Sequence, residues 1–318
     1  MEDVLMKAIG FNHYGSAQEL QMIDLPVPQP GDHQVVVKLK ATSINPIDWK
    51  TRQGYLQKMF AWEFPIVVGW DAAGIITEVG QHVTAWQVGD EVLARPATTP
   101  RGTYAEYTLV DQDLLARKPQ NISFDQAAAL PLAGLTAWQA LFEAGKLTAG
   151  QKVLIQAGAG GVGSYAIQFA KVCGAEVWTT ASQRHADLLK SLGADQVIDY
   201  HQPAELARLK DFDLVFDTLG GHNQLMAFDW LTSGGKLISI AGEAEQSAKR
   251  AVQKQIEFKS IWLRPDGQQL QKIVQLMSTG VVKSQIGKVL PFSLSNLIAA
   301  HELSETKHTT GKIVISFN

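Results

Sequence analysis

Val153-Leu154-Ile155-Gln156-Ala157-Gly158-Ala159-Gly160-Gly161-Val162-Gly163-Ser164 opens as a short apolar run, breaks on four glycines, and continues to Cys173 with apolar residues at helical spacing. The apolar positions of that continuation are Val162, Tyr165, Ala166, Phe169, Ala170 and Cys173. A buried strand, a glycine turn and a helix in direct succession form the context in which Gly-x-Gly-x-x-Gly acts as a dinucleotide fingerprint. Gly158 permits the turn off the strand, Gly160 lets the backbone approach a diphosphate, and Gly163 lets the helix lie close to the strand. The first turn of the helix, with Gly161 and Val162, then offers unpaired N–H groups and a partial positive charge to the phosphates.

Around this unit the chain reads as a doubly wound α/β domain. Strands are expected at Glu176–Ala181, Gln196–Tyr200, Leu214–Thr218, Lys236–Ala241 and Ile256–Leu263. Helices are expected at Arg184–Leu192, Pro203–Leu209, His222–Leu231 and Pro265–Met277. With the first strand, that makes the six-strand count of such folds. Upstream, Ser123-Phe124-Asp125-Gln126 carries a capping-box signal, followed by helix through Leu130 and again over Leu135–Ala144.

Residues up to about 120 read differently, as short strands near Met6–Phe11, Gln34–Ile44, Val88–Leu93 and Gly102–Val110. Leu25–Gly31 holds three prolines and is expected as a connector. Asn45-Pro46 breaks the long strand and starts a helical turn. The tail beyond Val282, with a helix over Leu294–Glu302 and a strand over Gly311–Phe317, abandons the alternating rhythm and is expected to return to the first domain. The expected division is therefore 1–122 with 282–318 as a β-rich catalytic domain and 123–281 as the nucleotide domain, with the active cleft between them.

At 318 residues, 46% hydrophobic and 19% charged, the chain has a composition that excludes a disordered or fibrous protein. A net charge of −3 gives no electrostatic footprint for nucleic acid or an anionic membrane. The single cysteine, Cys173, excludes an internal disulfide, and the opening Met1-Glu2-Asp3-Val4 is acidic and lacks an apolar signal core. These features lead to the expectation of a cytoplasmic enzyme acting on a small molecule.

The second strand decides which coenzyme is expected. An NAD site places an acid about 20 residues after the first glycine, on the ribose 2′-hydroxyl. Here the window is Trp178-Thr179-Thr180-Ala181-Ser182-Gln183-Arg184, which holds no acid. Ser182 donates a hydrogen bond and Arg184 pairs with an anion, so a 2′-phosphate is accommodated. Tyr200, ending the next strand, adds a hydroxyl or a stacking face. NADP is the expected coenzyme.

Taken with these elements, the segments Ser43-Ile44-Asn45-Pro46-Ile47-Asp48, Gly69-Trp70-Asp71-Ala72-Ala73-Gly74, Gly134-Leu135-Thr136-Ala137, Leu192-Gly193-Ala194-Asp195 and Gly311-Lys312-Ile313-Val314 resemble the medium-chain dehydrogenase/reductase superfamily, in its zinc-free quinone oxidoreductase and enone reductase branch. The resemblance covers essentially the whole chain. It implies a GroES-like catalytic domain interrupted by a Rossmann domain. It also implies that Asn45, Thr136 and Gly242 lie near the nicotinamide, and that a homodimer forms on the edge strand near Phe258–Leu263. Zinc-dependent relatives carry a cysteine ligand where Asn45 to Asp48 stand and Gly-His-Glu where Gly69-Trp70-Asp71 stands. Neither is present, one cysteine cannot build a four-cysteine site, and the eight histidines show no HExxH spacing, so no metal is expected.

Without a Lewis acid, substrates that delocalise the incoming charge are favoured, namely quinones and α,β-unsaturated carbonyls. The proton then comes from solvent or from a tyrosine, and Tyr55 is the candidate. Phe60 and Trp62 could line an apolar pocket, Asp48 and Lys50 hold the turn or pair near the cleft, and Asp71 fixes the glycine-rich segment. A non-catalytic NADPH-binding redox sensor and an alcohol dehydrogenase with an unconventional metal site are the competing readings.

Overall fold

A computed structural model describes residues 4–317, so Met1-Glu2-Asp3 of the acidic opening and Asn318 lie outside the described residues. The chain divides into two compact units, residues 1–132 with 265–318 and residues 133–264.

In chain order the strands are β1 (Leu5–Gly10), β2 (Gln21–Pro26), β3 (Gln34–Ser43), β4 (Ala72–Val79), β5 (Glu91–Ala94), β6 (Tyr107–Asp111), β7 (Leu115–Arg117), β8 (Lys152–Ile155), β9 (Glu176–Ala181), β10 (Gln196–Asp199), β11 (Phe212–Asp217), β12 (Leu231–Ser239), β13 (Glu257–Ser260), β14 (Ile286–Pro291) and β15 (Lys312–Ser316). The α-helices are α1 (Pro46–Arg52), α2 (Phe124–Ala128), α3 (Pro131–Trp138), α4 (Gly161–Val172), α5 (Ala186–Ser191), α6 (Pro203–Leu206), α7 (Gly221–Ala227), α8 (Ser247–Lys254), α9 (Gly267–Ser278) and α10 (Leu294–Glu305).

The second unit is the doubly wound domain. Its six strands are all parallel, in the order β10-β9-β8-β11-β12-β13. That order is the dinucleotide-binding one, and the strand order reverses between β8 and β11. Val153, Leu154 and Ile155 of β8 are fully buried, as a central parallel strand covered on both faces requires. The apolar stripe of α4, with Tyr165, Ala166, Phe169 and Ala170 buried, faces that sheet. The expected strands of this unit are found, with Glu176–Ala181 matched at both ends and the others to within five residues.

The first unit is β-rich. β3 is its central strand, pairing antiparallel with β15, β4 and β6 in a sheet of order β14-β15-β3-β4-β5-β7. β15 is the returning tail anticipated from the sequence. It lies against Ala41, Thr42 and Ser43 of β3, and Ile44 N–H donates to Ile313 O at 2.9 Å.

Four details correct the sequence reading. The boundaries differ from 122/123 and 281/282, because α2 packs on β3 and β4 and α9 packs on β7 within the first unit. Gly267 opens α9 so close to the preceding loop that a Cβ there would stand 2.3 Å from Asp113 O, which fixes α9 to that unit. Gln21–Pro26 is a strand paired with β1, and Pro26 ends it where a missing donor is tolerated. The stretch Gly102–Glu106 does not join β6; Ala105 makes an isolated bridge to Ala8 instead. The helix expected over Leu135–Ala144 is α3 followed by a π-helical turn over Gln139–Ala144.

Candidate functional site

At the carboxyl edge of the parallel sheet, the three fingerprint glycines differ in their surroundings. A Cβ on Gly158 would meet Thr179 Oγ1 at 2.1 Å, and one on Gly163 would meet Ala157 O at 2.4 Å and Gly158 Cα at 2.7 Å. These two positions are closed by the protein's own packing. Gly160 is not: a Cβ there meets only Ala157 O, at 3.3 Å. Its open side lies at the N-cap of α4. Gly161 and Val162 form the first turn of α4, half-buried, beside that opening.

The residues that the sequence assigns to the adenosine side, Ser182, Arg184 and Tyr200, stand at the ends of β9 and β10. Ser182 follows β9 and precedes a 3-10 turn, Gln183–His185, that carries the exposed Arg184. Tyr200 follows β10, half-exposed, with its ring 4.1 Å from that of His201. An acid that the sequence reading did not weigh also stands here. Asp199 is paired in register with Ala181 and accepts from the backbone N–H of His201 at 3.0 Å and from its ring nitrogen at 2.8 Å. These bonds, with one from the Gln183 backbone, hold its carboxyl below the usual range. Its role is to fix the turn bearing Ser182 and Arg184. Only strand pairing reveals this neighbour, because the acid lies beyond the window after the second strand.

Thr136 is buried on α3 in the second unit. Gly242 follows β12 with φ +89, and nothing lies within 4 Å of a Cβ built on it. Asn45 belongs to the first unit, where its side chain is already committed. Asn45 Nδ2 donates to Asp71 Oδ2 at 2.6 Å, and Asn45 Oδ1 accepts from the ammonium of Lys312. This amide therefore serves the internal network of its own unit.

That network gathers buried charged and polar groups in the interior of the first unit. Asp71, wholly buried, accepts from Ser43 Oγ (2.5 Å), Asn45 Nδ2 and Leu132 N (2.7 Å), with Lys312 Nζ at 3.4 Å. It ties distant segments together rather than its own glycine-rich neighbourhood, which corrects the sequence expectation. Burial lowers the Lys312 pKa, and the carboxylate of Asp71 offsets part of that. Arg95, also buried, is lowered to about 10 by desolvation and donates to Pro96 O and Thr98 Oγ1.

Asp48 lies beside this network. Its Oδ2 accepts from Asn45 N at 2.8 Å and from Tyr104 Oη at 2.7 Å. Desolvation raises its pKa to about 7, and Asp48 Oδ1 is a buried oxygen without a protein partner. The chain of bonds continues from Tyr104 to His301 Nε2 (3.2 Å), and Arg52 Nε donates to His301 Nδ1 (3.2 Å). Arg52 in turn pairs with Glu305. Because Arg52 donates to Nδ1, the neutral imidazole carries its proton on Nε2 and donates to Tyr104. Burial, with the charge of Arg52, depresses the His301 pKa to about 3. Tyr104 and His301 escaped the sequence reading, since nothing local marks two residues 197 positions apart as partners.

The proposed acid, Tyr55, stands 70% exposed in the loop after α1. Phe60 and Trp62 stack on each other in the same loop, ring centroids 4.6 Å apart. Lys50 does not pair with Asp48; its ammonium sits 5.7 Å over the Trp49 ring.

Where zinc-dependent relatives place ligands, this chain has an asparagine amide, an indole and a carboxylate already bonded by a hydroxyl, an amide and a backbone N–H, with an ammonium beside it. Among the described residues no three His, Cys, Asp or Glu side chains gather to hold a metal.

Residues 31–120 match the alcohol dehydrogenase GroES-like domain, and residues 192–315 match the family described as zinc-binding dehydrogenase. A chloroplast envelope quinone oxidoreductase homolog of Arabidopsis thaliana is 36% identical, over 99% of each chain. An NADPH-dependent alkenal/one oxidoreductase of the same plant is 37% identical, over 98% of this chain and 79% of its own. The structure of a quinone oxidoreductase from Coxiella burnetii superposes with a TM-score of 0.93 at 36% identity, covering 99% of this chain and 100% of that one. The chain belongs to the medium-chain dehydrogenase/reductase superfamily of nicotinamide-dependent oxidoreductases, in its quinone oxidoreductase and enone reductase branch.

Proposed function

We propose that this enzyme uses NADPH to reduce a quinone or an α,β-unsaturated carbonyl, without zinc. The observation that carries the reading is the open cradle at Gly160, at the carboxyl edge of a dinucleotide-binding sheet, in a chain similar along its length to quinone and alkenal/one reductases. The coenzyme supplies the hydride. Gly160 and the first turn of α4 receive its diphosphate, and Ser182, Arg184 and Tyr200 receive the adenosine end with its 2′-phosphate. Asp199 steadies that turn through the bonds it accepts from His201. Conjugation in the substrate spreads the developing negative charge, so the protein's task is orientation and water exclusion. The exposed loop carrying Tyr55, Phe60 and Trp62 supplies apolar surface, and the proton comes from Tyr55 or from solvent.

The same reading includes a homodimer formed through β13, the last strand of its sheet, and a cytoplasmic enzyme. The single cysteine supports a reducing compartment. Among the described residues no helix is long and apolar enough to cross a membrane.

The test is turnover of a panel of quinones, 2-alkenals and alcohols with NADPH and NADH in parallel. NADPH-linked reduction of the first two classes is the expected result. Arg184→Ala will raise the KM for NADPH about tenfold or more and leave that for NADH within about twofold, as loss of a phosphate contact requires. Uptake of coenzyme without turnover on any conjugated acceptor, or equal use of both coenzymes by the parent, overturns the corresponding part of the reading.

A further inference from the structure

The loop that follows β12, from Ile240 to Gln246, is held by two buried side chains: Ser239 at the end of β12, whose Oγ accepts from Ala241 N and donates to Gly242 O, both at 3.1 Å, and Gln224, whose amide ties it to α7 and α8. Gln224, on α7, is fully buried, and its single amide reaches four segments. Gln224 Nε2 donates within reach of Asp217 Oδ2 (2.7 Å) at the end of β11, Ser239 Oγ (2.8 Å) at the end of β12, and Gly242 O (2.8 Å) in the loop. Gln224 Oε1 accepts from Ala244 N (2.7 Å), also in the loop, and from Ser247 Oγ (2.6 Å) at the start of α8. Asp217 is locked in turn by the backbone N–H groups of Leu219 and Gly220, at 2.9 and 2.8 Å, and by Ser239 Oγ at 2.7 Å. A carboxylate that accepts from all of these fixes which end of the Gln224 amide is the donor, and so fixes the direction of every bond to the loop.

The inner side of the loop is thus bonded by Gln224 and Ser239, while at Gly242 a Cβ would meet nothing within 4 Å. The loop leaves the carboxyl end of β12, on the edge of the sheet where ligands of this architecture bind. An apolar residue in place of Gln224 would leave the Ala244 N–H and the Ser247 hydroxyl without the acceptor they share, and would take one donor from Asp217 and from Gly242 O, so the loop would lose its tie to α7. We propose that Gln224 is a positioning residue for the nicotinamide half of the coenzyme, setting the backbone path of Ile240–Gln246 that borders it. The inference rests on the nucleotide-binding reading above and adds to it a residue that lies below the site.

The test uses Gln224→Glu and Ser247→Ala in the full chain, with NADPH and 2′,5′-ADP as calorimetric ligands at pH 6 and pH 8. The second ligand carries only the adenosine half. In Gln224→Glu the introduced carboxylate faces Asp217 from β11, while β12 and α8 present the hydroxyls of Ser239 and Ser247, and Arg250 of α8 is engaged by Leu225 O and Asp229. Two carboxylates at that separation share one proton on acidification. The affinity of Gln224→Glu for NADPH will fall about tenfold at pH 8 and recover to within about threefold of the parent at pH 6. Its affinity for 2′,5′-ADP will stay within about twofold at both pH values, and Ser247→Ala will show a pH-independent loss for NADPH alone of about threefold. Parental NADPH affinity in both variants overturns the proposal, as does an equal loss of both ligands. Should Gln224→Glu not fold, Ser247→Ala decides by the same two criteria. A parent chain that takes up neither ligand would instead overturn the nucleotide-binding reading.

Discussion

Asp48 and His301 are joined through Tyr104 and are both uncharged in the folded protein at mildly acidic pH, for opposite reasons of charge type. The unfolded chain loses the Asp48 proton near 3.8, whereas the folded chain holds it to about 7. Between those values unfolding releases a proton, so Asp48 makes stability fall as pH rises. The unfolded chain takes a proton on His301 below 6.5, and the folded chain refuses it down to about 3. Over that window unfolding binds a proton, and His301 makes stability rise with pH. Each slope is about 1.4 kcal/mol per pH unit, and from roughly pH 4 to 6.5 they cancel. Asp48→Asn removes one slope and leaves the other. The difference in unfolding free energy, variant minus parent, will climb by about 3 kcal/mol between pH 4.5 and 6.5. His301→Gln, which can still accept from Arg52 and donate to Tyr104, will show a difference that declines by a similar amount over the same range. Urea unfolding at a series of pH values reads both, and lost hydrogen bonds enter only as constant offsets. Two differences that stay flat with pH would refute the assignment of Asp48 and His301 as buried neutral groups.

Two further perturbations test the site by its packing. Gly160→Ala will leave the unfolding midpoint nearly unchanged and weaken NADPH binding about tenfold or more in a fluorescence titration, since the added methyl enters only the cradle. Gly163→Ala will instead cost about 1–3 kcal/mol of stability in thermal unfolding, because its methyl meets the backbone of Ala157 and Gly158. Lys312→Met leaves the carboxylate of Asp71 buried without its cation and will lower the urea-measured stability by about 3–5 kcal/mol. Adding Asp71→Asn to that variant will recover part of the loss, and a double variant no more stable than the single one contradicts the pairing.

The nucleotide half of the molecule was legible in the sequence because its signals are local. The apolar run before Gly158, the glycine spacing and the 3.6-residue stripe of α4 all lie within about twenty residues, and the six parallel strands follow from their alternation with helices. The first unit was legible in outline only. β2 was missed because Pro26, Pro28 and Pro30 at and beyond its end read as a break, and α9 was assigned to the wrong unit because nothing in an amphipathic helix names its partner. The buried network was invisible as a network. Asn45, Asp48, Asp71 and Lys312 all lie in segments the sequence singled out, yet only the pairing of β15 with β3 brings Lys312 to Asn45. Tyr55 drew notice by its position near Asn45, while Tyr104, the tyrosine that bonds Asp48, was read as one residue of a strand.

The insertion of β15 beside β3 has a consequence for how the chain comes off the ribosome. Lys312 and the carbonyl of Ile44 that it meets lie 268 residues apart. At roughly 5–20 residues per second, on the order of ten to fifty seconds separate their synthesis. The whole of residues 133–264 is made within that interval and can close its own sheet. Asn45 and Asp71 must wait, with β3 lacking a neighbour and Asp71 lacking its counter-charge, until the last strand arrives. The nascent first unit thus presents an open β edge for most of translation, a natural handhold for a chaperone.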